Sequence, residues 1–130
     1  MAEMQFDLVS PERSLASFSA TSVLIPGNEG DMTVMPEHAP TITTLRPGVM
    51  AVTTDGETRE YVVTGGFAEI GAAGVSVLAE EALPKSEVSS DFIAGKVEAA
   101  RAAAGDAAAD VVDAANKRLA DLEALAGLIS

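Results

Sequence analysis

All six prolines stand at or before Pro84, and 14 of the 24 alanines stand between Ala94 and Ala126. Proline fixes φ and carries no backbone donor, so it punctuates extended chain, whereas alanine is the best helix former. A chain so divided cannot be a regular alternation of strands and helices. It has to place a turn-rich extended segment first and a helical one second. Eight of the eleven glycines, at or before Gly74, strengthen the division. The seam falls at Leu83-Pro84-Lys85-Ser86, where Pro84 ends an extended run and Ser86 to Ser90 offer capping side chains. Two domains follow, 1–86 and 87–130.

The first domain reads as short strands broken by turns. Met4 to Val9 alternates apolar and polar residues, and Ser22 to Ile25, Thr41 to Leu45 and Val49 to Thr53 are rich in β-branched side chains. Thr54-Asp55-Gly56-Glu57 predicts a hairpin, because Asp-Gly accepts the positive φ angles of a type I′ turn, with Glu60 to Thr64 as the return strand. Ala73-Gly74 predicts a second hairpin between Phe67–Ile70 and Val75–Ala79. Strands at this spacing predict an antiparallel β-sandwich or barrel. Gly66 is expected to take positive φ just before Phe67 turns into the core.

The second domain reads as two helices. Ile93, Val97, Ala100 and Ala104 share one face of the first, expected over Ser90–Ala104, and Gly105-Asp106 predicts the break and restart. Val112, Ala115, Leu119, Leu122, Ala126 and Ile129 form an apolar seam on the second, opposite a wet face of Asp106, Asp110, Asp113, Lys117 and Asp121. An antiparallel two-helix hairpin is the simplest arrangement, with Lys117 paired to Asp113 four residues earlier.

Charge and composition exclude several functions. Eight Lys and Arg against 20 Asp and Glu give a net charge of -12, which repels phosphate backbones and anionic membrane surfaces, so no nucleic acid is expected as a partner. The imbalance holds in both halves, with twelve acids to four bases before Glu87 and eight to four from there on. The absence of cysteine removes thiolate nucleophiles and sulfur-based zinc sites. No apolar run reaches the ~20 residues of a spanning helix, and the acidic start MAEMQFD lacks the basic region of an export signal. A soluble chain with no direct membrane insertion is expected.

His38, the only histidine, lies between Pro36 and Pro40 in a loop and is expected at a surface or interface. Gly27-Asn28-Glu29-Gly30-Asp31 lacks the lysine of a phosphate loop and puts two acids where an anion would sit. Gly65-Gly66 precedes a strand rather than a helix N-terminus. No catalytic, cofactor or metal residues are assigned.

The order of four motifs is more specific than any one of them. Gly27-Asn28-Glu29-Gly30 is followed by Pro36-Glu37-His38-Ala39-Pro40, then Leu45-Arg46-Pro47-Gly48, then Gly65-Gly66-Phe67-Ala68-Glu69-Ile70. This series closely resembles the epsilon subunit of bacterial F-type ATP synthases over about Met4 to Ala82, and loosely so in the tail. The resemblance implies a non-catalytic rotor subunit of the central stalk, bound to the gamma subunit and to the c-ring, coupling proton transport to ATP synthesis. It implies a peripheral position on the cytoplasmic face of the bacterial inner membrane. It places Glu29, Gly30 and Asp31 on the c-ring side and Pro36, His38, Ala39 and Pro40 on the gamma side, with Gly48, Gly65 and Gly66 as structural turns. It also leaves the tail a contact with the alpha and beta subunits. Relatives that hold ATP on the folded tail carry an I/L-D-x-x-R-A motif, and Val88-Ser89-Ser90-Asp91-Phe92-Ile93 departs from it, so no tight ATP binding is expected. The alternative reading is a stand-alone ligand-binding sandwich with a helical regulatory lid.

Overall fold

The computed structural model describes residues 3–129. They form two compact units, one ending at Lys85 and the other starting at Ser86. The first holds ten strands: β1 (Met4–Val9), β2 (Ser14–Ala20), β3 (Ser22–Gly27), β4 (Gly30–Val34), β5 (Thr41–Leu45), β6 (Gly48–Thr54), β7 (Glu57–Val63), β8 (Gly66–Gly71), β9 (Gly74–Ala79) and β10 (Ala82–Pro84). They lie in the order β10-β7-β6-β3-β5-β8-β9-β1-β2, with β4 paired to β3 alone.

Alternation decides which side chains enter the core. Met4, Phe6 and Leu8 of β1, Met50 and Val52 of β6, Ala68 and Ile70 of β8, and Val75 and Val77 of β9 are all buried. The Phe6 ring lies 5.5 Å from Phe18 and 6.4 Å from Tyr61, tilted to both. Each of these Val, Leu, Ile, Phe and Met side chains contributes roughly 1.5–3 kcal/mol when fully buried. Asp55 and Gly56 have φ of 47° and 81°, so the predicted Asp-Gly hairpin turn between β6 and β7 forms as a pair of left-handed residues.

Three strands were not expected. β2 is serine- and alanine-rich and has little intrinsic preference for strand, yet pairing with β1 in the register Phe6↔Phe18 buries Ala16 and Ala20. β4 follows a two-residue turn after β3, and β10 is a three-residue edge closed by Pro84. The sheet is also not wholly antiparallel, because β1 pairs with β9 in parallel.

That parallel pairing needs Gly74. A Cβ there would stand 2.1 Å from the Gln5 carbonyl oxygen. Gly66 is constrained twice over: its φ is 125°, and a Cβ would stand 2.1 Å from the Leu78 carbonyl oxygen. Phe67, however, faces outward and is 50% exposed, because Ala68 and Ile70 take the core positions of β8. The expectation that Phe67 enters the core is corrected on that alternation.

The second unit holds α1 (Ser90–Asp106) and α2 (Val112–Leu128), which pack together. Ser89 caps α1, its hydroxyl accepting from the Phe92 amide at 3.1 Å. The break comes later than Gly105-Asp106: Gly105 stays helical, and Ala107 turns the chain out in extended geometry. Ile93, Val97 and Ala100 are buried on α1, with Leu122 and Leu125 on α2. Lys117 pairs with Asp121 at 2.7 Å instead of Asp113. The Asp121 side chain is only 20% exposed and has fewer waters to satisfy it.

Two glycine substitutions should separate these constraints. Gly66→Ala is expected to destabilise the sandwich by at least about 3 kcal/mol, through strained φ and backbone overlap together. Gly95→Ala, on an exposed stretch of α1 with nothing within 4 Å, should stabilise the helix by about 0.5–1 kcal/mol. Urea unfolding followed by Tyr61 fluorescence and by helical ellipticity reads both. An unchanged midpoint for Gly66→Ala contradicts the close approach.

Candidate functional site

The first candidate element is the hairpin tip between β3 and β4. Register Gly27↔Gly30 leaves Asn28 and Glu29 as a two-residue turn, with Gly30 at φ 143°. Glu29, Gly30 and Asp31 are all exposed. Asp31 is engaged from within the chain, since its carboxylate accepts from the Arg46 guanidinium. Gly48 is buried beneath this hairpin, where a Cβ would stand 2.8 Å from Cβ of Pro26.

The second element is the loop 35–40 between β4 and β5. Pro36 and His38 are half-buried, and Ala39 and Pro40 are exposed. Glu37, at φ 68°, donates its amide to the Ala72 carbonyl at 3.3 Å and so holds the loop to the turn between β8 and β9. His38 Nδ1 lies 2.7 Å from the Ala39 carbonyl oxygen. The tip and this loop sit at opposite ends of β4, whose five residues span about 16 Å at strand rise. They are two separate elements, not one site.

A third element was missed in the sequence. Ile42 of β5, Phe67 of β8 and Leu78 of β9 are 74%, 50% and 49% exposed. Phe67 pairs directly with Leu78 and with Thr44, so all three strands present one outward face, with Ile42 diagonal to Phe67. Glu69 lies across from Ile42 on that face. A contiguous exposed apolar face rimmed by polar residues marks an interaction surface. Because β5 begins at Thr41, this face continues directly from the Pro36–Pro40 loop. Its signal was present as Ile42-x-Thr44 alternation, but the out-facing phase of β8 could not be told from the in-facing one.

Among the described residues no group of three or more His, Cys, Asp or Glu is placed to hold a metal ion. The groove beside the β8–β9 turn is lined by Gln5, Asp7, Glu69 and Ser76, and Asp7 accepts from Ser17 at 2.7 Å and Gln5 at 3.2 Å. No helix among the described residues is long and apolar enough to cross a membrane.

The family described as "ATP synthase, Delta/Epsilon chain, beta-sandwich domain" matches residues 3–85. The ATP synthase epsilon chain of Ruegeria sp. (strain TM1040) is 56% identical over 127 residues, covering 94% of this chain and 93% of the relative. That of Rhodobacter capsulatus is 51% identical over 127 residues, covering 98% and 96%. The chain belongs to the ATP synthase epsilon family. A chain of the Euglena gracilis mitochondrial ATP synthase, solved with its c-ring, superposes with a TM-score of 0.77 at 27% identity, covering all of this chain and 83% of that one. A chain from the Tetrahymena thermophila mitochondrial ATP synthase central stalk and c-ring shares the fold, with a TM-score of 0.69 at 15% identity and coverage of 99% and 98%. Family membership agrees with the expectation of a non-catalytic subunit of that complex.

The helical unit yields one further expectation. Lys96 lies 5.3 Å over the Phe92 ring, Arg101 pairs with Glu98 and, at 3.6 Å, with Glu123, and Lys117 pairs with Asp121. A nucleotide would have to displace these partners and meet eight acids from Glu87 onward. Tight triphosphate sites need several charge-assisted hydrogen bonds. Calorimetry on the full chain should therefore show ATP binding no tighter than millimolar, about 4 kcal/mol. Micromolar binding contradicts it.

Proposed function

We propose that this chain joins the gamma subunit to the c-ring in the central stalk of a proton-translocating F-type ATP synthase, coupling proton flow to ATP synthesis in the catalytic head. In this reading the sandwich carries both contacts, and the helical unit serves a regulatory or structural role, with the alpha and beta subunits in its reach. The complex holds the chain peripherally at the cytoplasmic face of the bacterial inner membrane. The observation that carries the reading is the separation of two exposed elements by the length of β4. An apolar face continuous with the Pro36, His38, Ala39 and Pro40 loop suits a large protein partner such as gamma. A small polar tip bearing Glu29 and Gly30 suits the polar loops of a ring, where a charge fixes register more than it adds affinity.

Epsilon-depleted complex from the same source provides the test. The wild-type chain should rebind and restore proton-driven ATP synthesis. The double variant Ile42→Ser/Phe67→Ser should stay folded and lose no more than about 2 kcal/mol of unfolding free energy, since Ile42 is mostly and Phe67 half exposed. It should bind isolated gamma about tenfold more weakly or worse, as for a lost aromatic anchor. Full-strength gamma binding by the double variant would remove the apolar face from the proposal.

A further inference from the structure

The loop between β4 and β5 turns at a residue that does not favour positive φ. Pro36 and Pro40 have fixed φ, and the residues before them, Met35 and Ala39, are pushed toward extended backbone. Reversal of the chain is left to Glu37 and His38. Glu37 takes it, at φ 68°. Proline followed by positive φ is the pattern of a type II turn, whose third residue is ordinarily glycine or asparagine. A glutamate there has a strained backbone, and such strain persists only where the surroundings over-determine it. Here the Glu37 amide donates to the Ala72 carbonyl at 3.3 Å, tying the loop to the turn between β8 and β9. The Glu37 side chain is exposed and makes no hydrogen bond or ion pair among the described residues. The next residue is fixed as well. His38 Nδ1 lies 2.7 Å from the Ala39 carbonyl oxygen, which also accepts from Thr41 Oγ1 at 3.1 Å, at the start of β5.

We infer that the left-handed backbone of Glu37 positions His38 as its Nδ1–H tautomer, so that the loop offers Nε2 as a hydrogen-bond acceptor to a donor on its partner. The tautomer follows from the contact. A carbonyl oxygen only accepts, so the ring nitrogen beside it carries the proton, and in a neutral imidazole the other nitrogen is then a bare acceptor. His38 Nε2 has no hydrogen-bond partner among the described residues, and the ring is only half-buried. A free imidazole favours the opposite tautomer, with the proton on Nε2, so the loop selects the form it presents. The turn at Glu37 and the restriction of Ala39 by Pro40 fix the backbone on both sides of the ring. Two acceptors repel, so the group that meets Nε2 has to carry an N–H or O–H. Glu37 is a positioning residue that acts through its backbone, and any residue tolerant of positive φ can take its place. The proposed function supplies only the identity of the partner, gamma; the tautomer and its backbone support belong to the free chain.

The test uses the full chain, whose single histidine gives an unambiguous imidazole spectrum. Heteronuclear NMR of the ring nitrogens at about pH 8.5, above the range in which histidine ordinarily titrates, should find the proton on Nδ1. A proton on Nε2 overturns the inference. Glu37→Gly and Glu37→Asn should keep that signature and the protection of the residue-37 amide. Glu37→Val, β-branched, should return the ring toward the Nε2–H form and speed exchange of that amide by about tenfold, with the core amides of Val23 and Val52 unchanged. A ring signature untouched by Glu37→Val overturns the positioning role. Binding to isolated gamma then separates acceptor from donor. Glutamine can place an oxygen near the Nε2 position, whereas lysine carries donors only. His38→Gln should bind within about threefold of wild type, and His38→Lys and Glu37→Val about tenfold more weakly. Equal loss in the glutamine and lysine variants, or full binding by His38→Lys, overturns the acceptor assignment. The Ile42→Ser/Phe67→Ser variant tells that failure from a failure of the proposed function. Full gamma binding by the loop variants beside a weakened double variant overturns the acceptor assignment alone. Full binding by all of them overturns gamma as the partner and the acceptor assignment with it.

Discussion

The parallel pairing of β1 with β9 is the constraint on which the rest of the sandwich depends. β1 runs between β9 and β2 and carries Met4, Phe6 and Leu8 into the core. Without it β9 would end the sheet with an open, unpaired edge, the usual site of aggregation. The Gln5 backbone approaches so closely that position 74 admits no side chain. The same strand sets Phe6 against Phe18 and Tyr61, joining residues from both ends of the sheet order. β8 and β9 are thereby held as interior strands, and their outward residues form a fixed surface.

Fixity of that surface is what gives the exposed groups a use. Phe67 and Leu78 sit at 50% and 49% exposure on paired strands whose other faces are fully committed to the core. They cannot rotate inward without a one-residue slip that would expose Ala68 and Val77. The same logic applies to the tip, where Arg46 joins two strands to a turn of only two residues. Rigid elements presenting exposed groups bind with less ordering cost than mobile loops. Net charge of -12 adds a long-range preference for basic partners while contributing little to the fold.

Strands whose residues alternated or were β-branched were legible in the sequence, as were the Asp-Gly turn and the Ser89 region of α1. β2 was not, because apart from Phe18 the run Ser14 to Ala20 is poor in strand-favouring residues and is held as a strand by pairing with β1. Helix α1 outran its predicted end because glycine at position 105 permits a left-handed cap without requiring one. The tip and the Pro36–Pro40 loop were legible as motifs; the apolar face was not, since a short apolar strand does not disclose which phase faces inward. The Arg46–Asp31 pair joins residues fifteen apart, and spacing alone could not have suggested it.

Single-cysteine cross-linking in the assembled complex tests the central claim, that tip and face meet different partners, most directly. The chain has no cysteine of its own, so each introduced thiol reports alone. Glu29→Cys should cross-link to the c-ring and not to gamma, and Ile42→Cys to gamma and not to the c-ring. Both positions cross-linking to one subunit, or neither to any rotor subunit, would contradict the account.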